Sequence, residues 1–437
     1  MTELNIQLIP TVIMVILGFS FLFSGMYLGA AMGLFGFLGL VYIRGLNHAL
    51  GELMTVPYTI FSNYDLSVIP LFILMGQLCF YAGMSADLFE TTYKWLGQLR
   101  GGLAMATVAA CAGFAAVCGS TVATAVTMGL VALPEMKKYN YGVTLSTGCL
   151  AAGGTIGILI PPSLSFLIYG IMTGQSIGQL FLAGVLPGII QAILFIITIF
   201  ILCTRNPRLG PGGPRTSIIE KVVSLRNTWI VILLFFSIIG SLYMGICTPT
   251  EAAAIGAFVA FVFAVIKRRL TWKTMKSSFQ DTVKSTSMLM IIFAGAIIMS
   301  HFLAVTRIPM IMADTVVALQ VNRYVILSFI LFVYLILGCL MDPGSMMLLT
   351  IPTFYPVILA LHFDPIWFGV LVTIMCEIGV ITPPVGLNVF VIHGIAGGVP
   401  MYTIFRGIVP FLIADIILLF IIIPFPQVSL FLPSFMK

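Results

Sequence analysis

Long apolar runs separated by short polar patches make up most of this chain. Runs near 6–22, 25–43, 67–83, 180–204, 227–245, 247–266, 285–305 and 406–426 are each long enough, at roughly 17–25 residues, to cross about 30 Å of hydrocarbon as a helix. The apolar–polar alternation of a membrane barrel is missing, so the elements predicted are helices. Shorter apolar segments lie between the runs. They form pairs at about 103–135 and about 324–361, followed by segments at about 143–172 and about 366–396 that a double proline interrupts.

The interruptions read GTIGILIPPS (154–163) and CEIGVITPPVG (376–386), and Pro161 and Pro383 stand 222 positions apart. The same offset superposes Pro134 on Pro356 and Gly157 on Gly379, and a slightly larger one brings Gly184 and Pro187 onto Gly407 and Pro410. The chain is therefore read as two related halves. In each, a pair of segments straddles a small-residue tip, VCGSTVATAVTMG (117–129) or GCLMDPGSMM (338–347). Neither arm of a pair is comfortably long enough to span, so each pair is expected to be a re-entrant hairpin. Irregular backbone at that depth needs protein or a cavity around it, because lipid offers no hydrogen bonds; the tips and the breaks are expected to face one another.

Composition agrees with a bilayer as solvent. The 437 residues are 60% hydrophobic and 8% charged, with a mean hydropathy of +1.16, whereas soluble domains carry roughly 25% charged residues. Position of charge matters more than its sum. If the first hairpin enters from the cytoplasm, sixteen of the twenty Lys and Arg fall on that side, leaving Arg44, Arg307, Arg323 and Lys437 opposite. That distribution puts both termini outside and makes the second half inverted relative to the first. The start, MTELNIQLIP, lacks the cationic region of a signal peptide and is read as the lead into a retained helix. The stretches 44–65 and 88–102 mix aromatics and charges as interfacial helices do. The segment 205–226, containing RNPRLGPGGPR, is the clearest polar linker. All eight cysteines lie in or beside apolar segments without metal-ligand spacing, and are read as packing residues.

The double prolines carry the first candidate chemistry. Each removes amide donors and frees carbonyl oxygens, and next to Ser or Thr hydroxyls such oxygens suit a hard monovalent cation. The half-helix beyond the break points its positive end at the same centre. Interrupted helices at matching positions of two halves are the sequence mark of a transporter's binding site. Asp342 is the one carboxylate near a tip, and three roles are open to it: part of a cation site, a proton carrier, or a helix cap. Glu377 is open between a functional and a structural role. Glu251, in Thr248-Pro249-Thr250-Glu251, is read as a capping arrangement. No nucleophile–base spacing and no Walker sequence occur, which argues against hydrolase or ATPase chemistry.

RGGLAMATVAACAGFAAVCGSTVATAVTMG, TPTEAAAIGAF and EIGVITPPVGLNVFVIHGIA resemble the large membrane subunit of tripartite ATP-independent periplasmic (TRAP) transporters, over essentially the whole chain. The pairing of hairpins with broken helices also resembles the wider group that includes divalent-anion/sodium symporters. The resemblance implies an all-α polytopic protein of the bacterial inner membrane that takes up an organic acid such as a C4-dicarboxylate, sialic acid or sulfonate. It further implies a sodium gradient as the driving force, a periplasmic substrate-binding protein and a small four-helix membrane subunit as partners, and an elevator motion against a scaffold. With no such subunit fused at the amino terminus, that subunit is expected to be a separate polypeptide.

The implied division is scaffold helices and an interfacial arm over 1–66, a first repeat over 67–204, the cytoplasmic linker 205–226, central scaffold helices with a basic segment over 227–284, and a second repeat over 285–437. Carried onto this chain, one sodium site would use Ser120, Thr121, Val122, Gly154, Thr155, Gly157, Pro161 and Ser163. The other would use Asp342, Gly344, Ser345, Thr382, Pro383 and Gly386. Substrate contacts would be Ser120, Thr121, Ser163, Ser345 and Asn388. Proton coupling is the near alternative, since Asp342 and Glu377 are able to titrate; richness in hydroxyls and carbonyls favours sodium. A channel is a more distant alternative, because re-entrant loops also build filters.

Overall fold

The structure is a computed structural model that describes residues 26–318 and 321–436; the run near 6–22 and Lys437 lie outside the described residues. Every regular element described is helical, as expected where hydrocarbon leaves the backbone only its own partners. In chain order the first helices are α1 Leu28–Arg44, α2 Leu46–Phe61, α3 Val68–Tyr81, α4 Met84–Leu96, α5 Gly102–Cys118 and α6 Thr121–Lys138. Then come α7 Val143–Thr155 with the turn Ile156–Ile158, α8 Leu164–Thr173, α9 Ile177–Arg205, α10 Ile218–Tyr243, α11 Pro249–Ile266 and α12 Trp272–Thr306. The remainder are α13 Ile308–Ala318, α14 Arg323–Gly338, α15 Pro343–Ala360, α16 Pro365–Ile381, α17 Leu387–Ala396, α18 Met401–Ile422 and α19 Gln427–Leu430.

Among the described residues, six of these (α9, α10, α11, α12, α15 and α18) are long and apolar enough to cross a membrane, and the stretches 46–61 and 65–81 form one candidate pair bent by 59°. The inclusion of α15 departs from the sequence reading, which took both arms of the second pair as too short. With 18 residues and two internal prolines, Pro352 and Pro356, α15 has the length of a span.

Two helices fix the middle of the molecule. Every residue of α16 from Ile366 to Ile381 is buried, as are all of α7 from Leu145 to Thr155. A helix apolar on all faces belongs inside, and each of these two leads directly into a double proline. The breaks are thus held at the end of the most enclosed segments, not at the lipid face.

The segment read as a free linker is shorter and more fixed than the sequence suggests. Its irregular part runs only from 206 to 217, where Ser217 and Glu220 form a capping box and α10 begins. Backbone amides of Gly101 and Gly142 donate to Gly210 and Leu209 (both 2.9 Å), the Gly213 amide donates to Gly97, and the Tyr141 hydroxyl donates to Pro211. Prolines and glycines gave the signal for an irregular path, but the pinning partners lie more than sixty residues upstream and no local pattern marks them. The Arg269 guanidinium donates to both Asp87 carboxylate oxygens at 3.1 Å and to the Ala82 carbonyl at 2.8 Å, tying α4 to the turn after α11.

Glu251 takes the structural part. Its carboxylate accepts from the Thr248 amide at 2.7 Å while the Thr248 hydroxyl accepts from the Glu251 amide at 3.3 Å, a closed capping box with Pro249 at the first helical position. Replacing Thr248 by Ala is expected to lower stability by about 1 kcal/mol and to leave uptake per folded molecule unchanged, measured by melting in detergent beside a transport assay. A loss of uptake at full expression would show that this capping box does more than hold the fold.

Candidate functional site

The first tip is built from α5 and α6. Gly119, with φ +65, ends α5, and Ser120 starts α6 by accepting the Ala123 amide at its hydroxyl (3.4 Å). On the break, Pro161–Pro162 is a cis bond, and Ser163 caps α8 by accepting the Phe166 amide at 3.3 Å while its hydroxyl donates to the Ile158 carbonyl. Tip and break touch through backbone. The Leu164 amide donates to the Gly119 carbonyl at 3.3 Å. A Cβ on Gly119 would sit 2.6 Å from the Pro162 carbonyl oxygen, one on Gly157 would sit 2.6 Å from the Ser120 oxygen and 2.7 Å from the Thr124 hydroxyl, and one on Gly154 would meet Ala125 at 2.7 Å. The structure therefore brings Ser120 against Gly157 and the Gly119 turn against Pro162 and Leu164; Thr121, Gly154, Thr155, Gly157, Pro161 and Ser163 are buried, while Ser120 and Val122 are half-buried.

The second tip is arranged differently. Asp342 caps α15: its carboxylate accepts the Ser345 amide at 3.1 Å and the Ser345 hydroxyl, and Pro343 takes the first helical position. Its helix α14 comes close to α16, where a Cβ on Gly379 would lie 2.5 Å from Gly338 Cα. The second break also holds a cis bond, Pro383–Pro384, and α17 starts from Gly386 at φ +64. Thr382 turns its hydroxyl back to the Ile378 carbonyl at 2.6 Å. Pro161 and Pro162 are buried, but Pro383 and Pro384 are exposed. The backbone bond joining the first tip to its break has no counterpart at the second among the described residues.

Both tips open on one cavity of about 930 Å³. Its wall includes Ser120, Thr121 and Val122 of the first tip, Asp342, Gly344 and Ser345 of the second, and Leu164 and Val385 from the breaks. The opposite wall comes from α3 and α12. Asp342 is the one carboxylate among the described lining residues. Sequence reasoning missed Gln77, Thr127, Ser165 and Ser285, which add an amide and three hydroxyls to the wall. Gln77 was findable: it is the only amide in the apolar run VIPLFILMGQLCFY. Two expected substrate contacts lie behind the wall. Ser163 is spent on capping α8, and Asn388 donates to the Ala151 carbonyl at 3.1 Å, tying α17 to α7. Thr382, Pro383 and Gly386 are likewise off the wall. Glu377 is not on it either; its carboxylate accepts from Gln191 of α9. His301 pairs with Glu52 and His393 with the Val399 carbonyl, both at 2.8 Å, and neither lines the cavity.

A helical membrane protein that brings two helix-starting tips and two interrupted helices onto one cavity has the build of a membrane permease. The chain belongs to the family described as tripartite ATP-independent periplasmic transporter, DctM component, which matches residues 10–428; it is a large membrane subunit of that family. It is 36% identical to the C4-dicarboxylate TRAP transporter large permease protein DctM of Pseudomonas aeruginosa, over 86% of this chain and 87% of that one. It is 31% identical to the sialic acid TRAP transporter large permease protein SiaM of Vibrio cholerae, over 94% and 96%. The fold is shared with the Alcanivorax borkumensis YdaH transporter at a TM-score of 0.64 and 14% identity, covering 97% of this chain and 98% of that one.

Proposed function

We propose that this chain carries out sodium-coupled uptake of an organic acid anion, of the C4-dicarboxylate, sialic acid or sulfonate kind, delivered by a soluble periplasmic binding protein. The observation that carries the proposal is the shared cavity: both tips and both breaks reach it, and its described wall holds no Lys or Arg. An anion there must be held by amides, hydroxyls and positive helix ends. The starts of α6 and α15 supply such ends, and bound sodium supplies the rest.

One sodium ion sits at Ser120, Thr121 and Val122 with the carbonyls of the first break, the other at Asp342, Gly344 and Ser345 with Thr382, Pro383 and Gly386. The hairpins enter from opposite faces. They move with α7–α9 and α16–α18 as one body, in an elevator motion, against a scaffold that includes α3 and α12. The apolar face that scaffold turns to the cavity, with Ile73, Phe80, Met288 and Ile292, supports sliding, because it makes few directional contacts to break. A separate four-helix membrane subunit completes the scaffold. The protein lies in the inner membrane with both termini periplasmic, as the basic residues favour.

Reconstitution tests the reading. With the small subunit in proteoliposomes and the binding protein outside, uptake is expected to saturate with substrate and to require both an inward sodium gradient and the binding protein. Uptake driven by a pH gradient in sodium-free buffer, or equal without the binding protein, would overturn it. Flux that never saturates would make the protein a channel.

A further inference from the structure

Three polar side chains meet in the interior of the helix bundle, apart from the cavity: Gln191 of α9, Glu377 of α16 and Asp415 of α18, each 0% exposed. The Gln191 amide nitrogen donates to Glu377 Oε2 at 2.8 Å and to Asp415 Oδ1 at 2.9 Å. That spends both amide hydrogens. Gln191 Oε1, Glu377 Oε1 and Asp415 Oδ2 are left buried without a partner. Among the described residues no Lys, Arg or His pairs with either carboxylate. The edge-to-face pair of Phe195 and Phe411, at 5.3 Å between ring centroids and one turn from Gln191 and Asp415, packs this region with apolar rings.

Two buried carboxylates sharing one neutral donor are electrostatically incomplete, since the desolvation of even one ionised carboxyl far exceeds what two amide hydrogen bonds return. A positive charge belongs at this point. Three oxygens are open here, each from a different helix. All are hard oxygen donors, the kind of set that hard metal cations take. We propose that Gln191, Glu377 and Asp415 hold a desolvated hard metal cation, of the sodium or calcium class, distinct from any ion at the tips.

The two halves support a specialised role. At the 222-residue offset Glu377 falls on Thr155, whose hydroxyl is spent on the Ala152 carbonyl at 2.7 Å. The first half therefore has no counterpart. The site ties α9, α16 and α18 together, and α16 runs on from Glu377 to the second break within five residues. A cation here braces the helix that carries that break.

The test uses the purified full-length chain in nanodiscs. Equilibrium binding of radioactive sodium or calcium is expected to give one more bound cation per chain for the wild type than for Glu377→Gln or Asp415→Asn, with the comparison of the two ions identifying which is held. Infrared difference spectra should show cation-induced shifts of ionised-carboxylate bands in the wild type that each variant removes. Equal stoichiometry in wild type and both folded variants overturns the proposal. Should neither variant fold, the wild type decides alone: a protonated-carboxyl band that neither ion alters assigns the site to a proton, while loss of that band on adding either ion supports the metal. Sodium-independent uptake would remove the tip sites and leave this one standing.

Discussion

Gly119→Ala is expected to reduce uptake about thirtyfold or more. Two costs combine. At φ +65 an L-residue loses roughly 1–2 kcal/mol relative to glycine. The added Cβ would also lie 2.6 Å from the Pro162 carbonyl oxygen, a backbone atom that can yield only by moving the break. Overpacking of this kind costs about 1–3 kcal/mol, so the sum is about 2–5 kcal/mol, and each 1.4 kcal/mol is about tenfold in the docked population. The separation also breaks the Leu164–Gly119 backbone bond, the one link of that kind between tip and break. Gly174→Ala is the control. It has φ +68 but nothing within 4 Å of its added Cβ, so it carries the conformational cost alone and should keep most of its uptake. Initial rates per folded protein in proteoliposomes decide it: if Gly119→Ala transports at half the wild-type rate or better, the tip and break do not have to dock.

Much of this arrangement was legible because its signals are local. A Pro-Pro inside an apolar run interrupts a helix wherever it occurs, and Gly-Ser or Asp-Pro-Gly-Ser between short apolar segments marks a reversal with a capped restart; Ser120 and Asp342 both serve as that cap. The recurrence at a fixed offset then joined the pieces. What escaped depends on partners far apart in the chain. Nothing around Gln191 says that Glu377 and Asp415, 186 and 224 residues away, will share its amide. Gln77, the only amide in its apolar run, was passed over because a lone polar residue declares its cost but not the wall it will face, and Ser285 because it stands in the polar stretch Lys284-Ser285-Thr286-Ser287, where nothing sets it apart. The unequal breaks were hidden for a third reason. PPSLS and PPVGLN differ as sequence, so the two sites need not bind alike, but only packing decides that Pro161 and Pro162 are enclosed while Pro383 and Pro384 are exposed.

Asp342→Asn separates the observed cap from the cation-binding role proposed for the same carboxylate. As a cap, Asp342 accepts the Ser345 amide at 3.1 Å, and Asn caps about as well as Asp, so the fold should be unchanged to within about 0.5 kcal/mol. As a charge, it is the one carboxylate among the described residues of the cavity wall. A unit charge about 4 Å from a cation is worth about 4 kcal/mol at an effective dielectric of 20, and desolvation of both partners offsets part of this. Apparent sodium affinity in Asp342→Asn is therefore expected to fall about tenfold to a hundredfold, with melting in detergent unchanged. If sodium binds there as proposed, the same charge would repel an anionic substrate while the site is empty and stop doing so once sodium is bound, so the expected order of loading is cation first, anion second. Removing it should raise substrate affinity in low sodium and flatten its sodium dependence, even as uptake falls because the gradient is no longer harnessed. Asp342→Ala should add the lost cap, about 1 kcal/mol, to the same transport defect. Wild-type sodium affinity and substrate coupling in the Asn variant would leave Asp342 a cap alone and move the second cation to carbonyls and hydroxyls.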